Sequence, residues 1–443
     1  MLNRRTLLAT LGAAGIAGTA AACSPSAQQS GDDDSGGGGG EGTLTFRLWD
    51  ESARAAYEES FAAFTEETGW DVEIEVVPWG DYWTRLPLDV ASGSMSDVYW
   101  MNSANYVQLQ QAGNLLNIDD IIPGSDQQWE QAVIDLYTRD DGLWGVPQLW
   151  DSIALFYNQD LVEEADVDPT DLSFDPGADS DPLREAGRAL TADNEGRHPG
   201  DDGFAADSRE TFGFNAAADR QAIIGPFLAS NGADWEEDDR YVFDSEEGIE
   251  AFAYLADLIN EDQIAPSAAD TNENGDFARD LFTQGRLGLF QSGPYSLSAI
   301  ADGAGDSFAW GLAPMVAGPE GRKSLVHGVT AVGNANADED RMDGIEQLLT
   351  WLGSAEGQAP IGEMGIAFPG HVDAQQGFVD FWDEKGVDVS IFVEAAQDPA
   401  PADTGSNANA GLMAAMPIFQ EVMIGRLSAE EGIPQAAEAG NAE

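Results

Sequence analysis

The side chains of this chain best suited to chemistry are aromatic rings set beside carboxylates and amides at the ends of predicted strands. Trp49-Asp50-Glu51, Tyr99-Trp100-Met101-Asn102 and Trp150-Asp151 each open or close such a strand, and Tyr295 follows Ser292-Gly293-Pro294. Ligands of α/β sheets sit at the carboxyl ends of strands. A saccharide offers C–H faces that pack on rings and hydroxyls that need carboxylate or amide partners, so this mixture suits sugars. For any single tryptophan, packing in a core is the commoner role. Recurrence beside polar residues at four places shifts the balance toward binding.

Signs of catalysis or of a resident metal are missing. The three histidines, His198, His327 and His371, lack metal-type spacing, and His198 is expected simply to be exposed. The sequence holds no Gly-x-Ser-x-Gly elbow, no phosphate-cradling loop with its lysine and no dinucleotide fingerprint. Asp270-Thr271-Asn272-Glu273-Asn274-Gly275 begins like a calcium loop, but its twelfth position is Leu281 where a bidentate Glu is needed. It reads as a polar turn. No cofactor and no metal are expected, and the chain is read as a non-enzyme. A carboxylate pair for glycoside hydrolysis stays open, because 80 acidic residues leave many pairs free to meet.

The elements that position these residues alternate in type. Thr43 to Trp49 and Val72 to Val76 alternate apolar and polar residues as strands do. Between them, Tyr57, Phe61 and Phe64 fall at helical spacing, and Gly69 is a helix stop. Strands are also predicted over 97–101, 153–157 and 287–290, and helices over 105–112, 158–165, 277–284 and around Ile345 to Leu352. Asp244 and Glu247 suit a cap for a helix bearing Ile249, Phe252, Ala256 and Ile259. Residues 166–210, rich in Asp, Pro and Gly, read as a surface insertion with one short helix around 184–190. Alternating α and β favours doubly wound sheets.

Charge narrows the partners. The chain carries 80 acidic and 19 basic residues. Nucleic acid and anionic lipid surfaces need basic patches, so the charge disfavours both, and no nucleic-acid partner is expected. Such a surface resembles those of proteins from saline habitats, and stability is expected to rise with salt. With 43% hydrophobic residues and 12 Trp, the chain is nevertheless a packed globule.

The N-terminus is an address. Arg4-Arg5, an apolar run from Leu7 to Ala22 and the lone Cys23 read as a signal peptide over 1–22. Its removal takes away two arginines and no acid, moving the net charge from −61 to −63. Ala20-Ala21-Ala22-Cys23 resembles a lipobox, which makes Cys23 the lipidation site, although Ala20 stands where a larger aliphatic residue is usual. Residues 23–42, with five consecutive glycines, form a flexible linker.

Longer stretches resemble one family. Leu48-Trp49-Asp50, Ala91-Ser92-Gly93 with Asp97 to Met101, and Gly145-Val146-Pro147 through Asp151, Tyr157-Asn158, Asp160-Leu161 are similar to the family 1 extracellular solute-binding proteins, the sugar-binding lipoproteins of ABC importers related to maltose-binding proteins. Asn231-Gly232, Phe282 with Gly285-Arg286, Gly293-Pro294-Tyr295 and Gly311 to Pro314 continue the likeness. The resemblance implies a two-lobed, periplasmic-binding-protein-like α/β fold of the Venus-flytrap type, its discontinuous lobes joined by a three-crossing hinge. Lobe one is placed at 43–147 plus 334–365, lobe two at 148–333 plus 366–443, with crossings near 148–153, 327–334 and 366–371.

The same resemblance makes Trp100 and Tyr295 stacking platforms and Trp49, Asp50 and Asp151 hydroxyl acceptors or cleft walls. Asn102, Trp150 and His327 are further ligand-binding candidates, the last two equally suited to hinge packing. Gly411-Leu412-Met413 stands where maltose binders carry a late aromatic, and Trp79, Tyr82 and Trp83 are additional rings. The function implied is capture of a sugar or oligosaccharide by a monomer held on the outer face of the cell membrane, and delivery to ABC permease subunits. The alternatives are an exported carbohydrate-active hydrolase, a polyol or glycerol phosphate receptor, and a sensor.

Overall fold

The computed structural model describes residues 42–124, 128–237, 239–401, 405 and 408–443. The expected signal peptide, Cys23 and the linker up to Glu41 lie outside the described residues.

Two sheets organise the chain. The first has six strands in the order Phe368–Pro369, Val146–Asp151, His327–Gly333, Val98–Asn102, Gly42–Leu48 and Trp70–Val76. Its last three strands are parallel, Gly42–Leu48 pairing with Trp70–Val76 from end to end. The helix Arg54–Thr68 makes this crossover, burying Tyr57, Phe61 and Phe64 and ending at Gly69, whose φ of 85° suits the residue without a Cβ. Strand His327–Gly333 then runs antiparallel between Val98–Asn102 and Val146–Asp151.

The second sheet has the order Trp310–Ala313, Ala154–Asn158, Leu287–Ser292, Arg209–Phe214 and Ala192–Asp193. It is covered on both faces, which is why its strands read as nearly continuous apolar runs. Phe156, Leu287 and Phe290 join the core that continues from the first sheet, while Leu155, Phe214 and Leu289 join a second core with Phe243, Phe252 and Phe419. The fold is therefore two α/β lobes, each discontinuous in sequence and joined by three crossings.

The crossings are bound to one another at Ser152-Ile153, the two residues between the first sheet's Asp151 and the second sheet's Ala154. Ser152 Oγ donates to the Phe392 carbonyl at 2.6 Å, and the Ile153 amide donates to Ser324 Oγ at 2.8 Å. Each of these residues is buried, so the bonds are made away from water.

Several expectations shift. Strand Val146–Asp151 stays in the first sheet to its end, and His327–Gly333, placed in lobe two from the sequence, pairs wholly within the first sheet. The second crossing thus falls between Ala313 and His327. Helix Gln375–Asp383 packs on the first sheet's Phe368–Pro369, whereas Ser390–Ala395 touches Ala154–Asn158 of the second, which moves the third crossing beyond 371. Residues 166–210 are not only surface: helix Pro182–Leu190 buries Leu183, Ala186 and Leu190 against the second sheet. Helix Glu246–Asn260 is capped by Ser245, whose side chain accepts from the Gly248 amide. The calcium-like stretch is mostly helix, Ala268–Glu273, as its missing ligand allowed.

Among the described residues no helix is long and apolar enough to cross a membrane, and no group of three or more His, Cys, Asp or Glu could hold a metal ion.

Candidate ligand-binding site

Strand direction brings the predicted polar residues to one edge. In the first sheet His327 pairs with Asp151 on one side, and Val329 pairs with Asn102 on the other. Phe46 pairs with Val98 and Leu48 with Val76, so Trp49 and Asp50 leave their strand at that same edge. The chain crosses to the second sheet from this edge, immediately after Asp151. Asp50, Asn102, His327 and Asp151 are thereby gathered along one line, although they are up to 277 positions apart in the chain.

The second sheet answers with its own strand ends. Ser292 pairs with Ala154, so Gly293-Pro294-Tyr295 emerge beside the crossing. Tyr295 is 45% exposed, and its ring lies over Gly293, where an added Cβ would come within 2.2 Å of it. Past strand Arg209–Phe214, Asp219 caps the wide-turned helix Arg220–Ile224, accepting from the amides of Gln221 and Ala222. A cavity of about 440 Å³ opens here, lined by Asn215, Asp219, Arg220, Ser292 and Tyr295, with Met416 and Gln420 from the C-terminal helix Ala408–Met423.

At the crossing, a hydrogen bond ties the two sides. Gln221 Nε2 donates to Asp151 Oδ1 at 3.0 Å. Burial pushes the Asp151 carboxyl up to about 7, against the pull of the Gln221 bond. The His327 imidazole is pushed down to about 3 by burial and by the Arg220 charge, so it is neutral, and its Nε2 is a buried polar atom without a hydrogen-bond partner. Imidazole, amide, carboxyl and phenol together make a set that exchanges hydrogen bonds with hydroxyls.

One expected platform, Trp100, and one further candidate, Trp150, are not on this surface. Trp100 is 1% exposed, its Nε1 donating to the Tyr57 hydroxyl at 3.0 Å and its backbone carbonyl accepting from the Tyr82 hydroxyl at 2.7 Å. Trp150 is fully buried and stacked on Phe368 at 4.9 Å between ring centroids. Both are buried because they lie short of their strands' ends in a sheet whose residues there are covered on both faces. Trp49 is half-buried at the centre of an aromatic cluster, 5.3 Å from Trp79, 5.4 Å from Trp83 and 4.9 Å from Trp100. Asp50 is exposed and caps the following turn through the Ser52 amide.

The residues the sequence did not reveal are Asn215, Asp219, Arg220 and Gln221. They belong to a loop without a motif, and only the pairing of strand Arg209–Phe214 beside Leu287–Ser292 carries them to the crossing. Asn215 is fixed there by two bonds to Gln291, its Nδ2 donating to the carbonyl and its Oδ1 accepting from the amide.

Known proteins share the two-lobed fold. The chain is similar over 90% of its length to UspC of M. tuberculosis, with 40% identity, a TM-score of 0.77 and 99% of that chain covered. It has the fold of the GacH receptor of Streptomyces glaucescens GLA.O, a structure solved unliganded and with acarbose, at 21% identity and a TM-score of 0.73, covering 90% of this chain and 97% of that one. It is 24% identical over 274 residues to the maltodextrin-binding protein MdxE of Bacillus subtilis (strain 168), a match spanning 62% of this chain and only 60% of that relative's length. The model of the bacterial extracellular solute-binding protein family matches residues 49–359, more than two thirds of the chain, and the protein belongs to that family.

Proposed function

We propose that this protein captures a sugar or oligosaccharide between its two sheets, without turnover, and delivers it to an ABC permease. Residues 42–151 and 327–383 form lobe one in this reading, and 154–313 with 390–443 form lobe two. The observation that carries it is the joining of Asp151, on the first sheet's edge, to Gln221 beside the Tyr295-lined cavity of the second. A half-exposed ring and a hydrogen-bonding set on opposed sides suit a molecule with apolar faces and a hydroxylated rim. Two similar proteins, a maltodextrin-binding protein and a receptor whose structure was solved with acarbose, support the same class.

A ligand that touches both sheets favours the closed lobes by its differential affinity for that state, and by nothing else. Ser152-Ile153 and their partners form the pivot. Asp50, Asn102, Asp151, Tyr295 and His327 are assigned to ligand contact, Trp49 to the cleft wall, and Trp100 and Trp150 to support from behind. Cys23 carries the lipid that keeps the receptor beside its permease on the outer face of the membrane.

The test is a thermal-shift screen in molar salt over mono- and oligosaccharides, polyols and organic phosphates. A neutral saccharide raises the melting temperature. Stabilisation by no saccharide overturns the assignment, stabilisation by a phosphate alone moves it to the glycerol phosphate class, and release of a cleaved sugar makes the protein a hydrolase.

A further inference from the structure

One large ring is left open to solvent at the first sheet's cleft edge. Trp79 is 52% exposed, and the helix it begins, Trp79–Ser92, starts three residues after strand Trp70–Val76 ends. That strand pairs in parallel with Gly42–Leu48 up to Leu48 and Val76, and the Val77 amide donates to the Leu48 carbonyl at 2.9 Å. Trp79 therefore stands at the same end of the sheet as Trp49, Asn102, His327 and Asp151, beyond the far strand from the crossing. It is also held in place. The Trp49 ring meets it edge-on at 5.3 Å and 75°, and the Trp83 ring at 5.1 Å and 83°. Trp49 is in turn fixed edge-on against Tyr82 and Trp100, both of them buried. An exposed ring clamped from two sides keeps one orientation, so a ligand that stacks on it does not have to order it first.

We infer that Trp79 is the platform of a distal subsite, one that takes a further sugar ring of an extended oligosaccharide whose first rings lie at Asp151, His327 and Tyr295. This rests on the receptor reading above and adds a length requirement to it. From strand Val146–Asp151 to strand Trp70–Val76 there are four interstrand steps of about 4.8 Å, roughly 19 Å along the edge. A single ring seated by Asp151 does not span that distance, and a chain of several does. The line between the two ends is polar at Asn102 and Asp50, which suits the hydroxyls of intervening rings, and has Trp49 as an apolar step. The two sites thus divide the work. The crossing end fixes hydroxyls by hydrogen bonds, and the Trp79 end adds affinity through contact with a ring's C–H face.

The experiment is calorimetric titration of the whole protein and its Trp79→Ala and Trp79→Phe variants in molar salt. The probes are gluco-, xylo- and chito-oligosaccharides of one to five rings. In the parent, affinity for the series that binds rises with length. In Trp79→Ala that rise is lost, with about a tenfold weaker Kd for the longest members, equivalent to about 1.4 kcal/mol. The one-ring Kd stays within about twofold, and Trp79→Phe recovers part of the length dependence because it keeps a ring. An equal loss at every length, or none at any, overturns the subsite while leaving the receptor standing. Failure of the parent to bind any member of any series overturns the receptor reading and the subsite together.

Discussion

Asp151 and His327 face each other as a register pair at the cleft edge of the first sheet, one with its pKa raised by burial to about 7 and the other with its pKa lowered by burial to about 3. Both are consequently neutral through the mildly acidic range. Two adjoining groups that are both uncharged in this range present hydrogen-bonding atoms rather than a charge pair, which suits a hydroxyl-bearing ligand.

Their opposite shifts predict a compensated pH profile. Folded Asp151 holds its proton above 3.8, where the unfolded chain releases it, so this group weakens folding as pH rises from about 4 to 7. Folded His327 stays neutral below 6.5, where the unfolded chain takes up a proton, so it weakens folding as pH falls from 6.5 toward 3. Between about pH 4 and 6.5 the two slopes oppose. Asp151→Asn removes one of them, and its stability should climb more steeply with pH than the parent's in denaturant melts across that window. Parallel profiles for parent and variant would show that Asp151 is not held protonated.

Tyr295 and Trp100 should separate ligand contact from support. Truncating the half-exposed Tyr295 to Ala is expected to weaken saccharide binding at least about tenfold while changing stability by less than about 1 kcal/mol. Trp100→Ala opens a cavity and leaves the Tyr57 hydroxyl without the indole N–H, so it should cost about 3–5 kcal/mol of stability. Calorimetry and denaturant melts on the same two proteins check both. A Trp100→Ala variant as stable as the parent would return that ring to the ligand surface.

Arg47 is 3% exposed, pairing through Nε with Glu75 at 2.7 Å and through Nη1 with Asp89 at 2.8 Å. These bonds keep its guanidinium charged against the cost of burial. It ties the edge strand Trp70–Val76 and the helix Trp79–Ser92 to Gly42–Leu48, and so holds the frame in which Trp49 and Trp79 meet. Arg47→Ala leaves Glu75 and Asp89 with Arg85 as their remaining cationic partner and is expected to cost about 1–3 kcal/mol, read as a lower midpoint in denaturant melts. Loss of less than about 1 kcal/mol would mean that water replaces the guanidinium at no cost.

Cys23→Ser should release the protein from membranes into the medium, measured by fractionation, because the lipid proposed at Cys23 is the anchor. Retention of the variant at the parent's level would place the anchor elsewhere.

Local pattern in the sequence determined the elements and the class of fold. Alternation over Leu44, Phe46 and Leu48 and helical spacing over Tyr57, Phe61 and Phe64 depend on neighbours in the chain, and both appear in the structure where they were expected. Motifs quoted from Gly145 to Leu161 were enough for the family. Tertiary structure alone decided how far along each strand the cleft begins. Trp100 and Trp150 read like their neighbours Asn102 and Asp151, but Val98 to Met101 are buried whichever face they point to, and only the strand's last residue, Asn102, opens at the edge, as Asp151 does after the buried Trp150. Strand pairing between segments far apart in sequence likewise brought Gln221 to Asp151 and placed His327–Gly333 in the first sheet. A hydrogen bond across 70 positions leaves no trace in composition or spacing, because it depends on where two whole lobes come to rest.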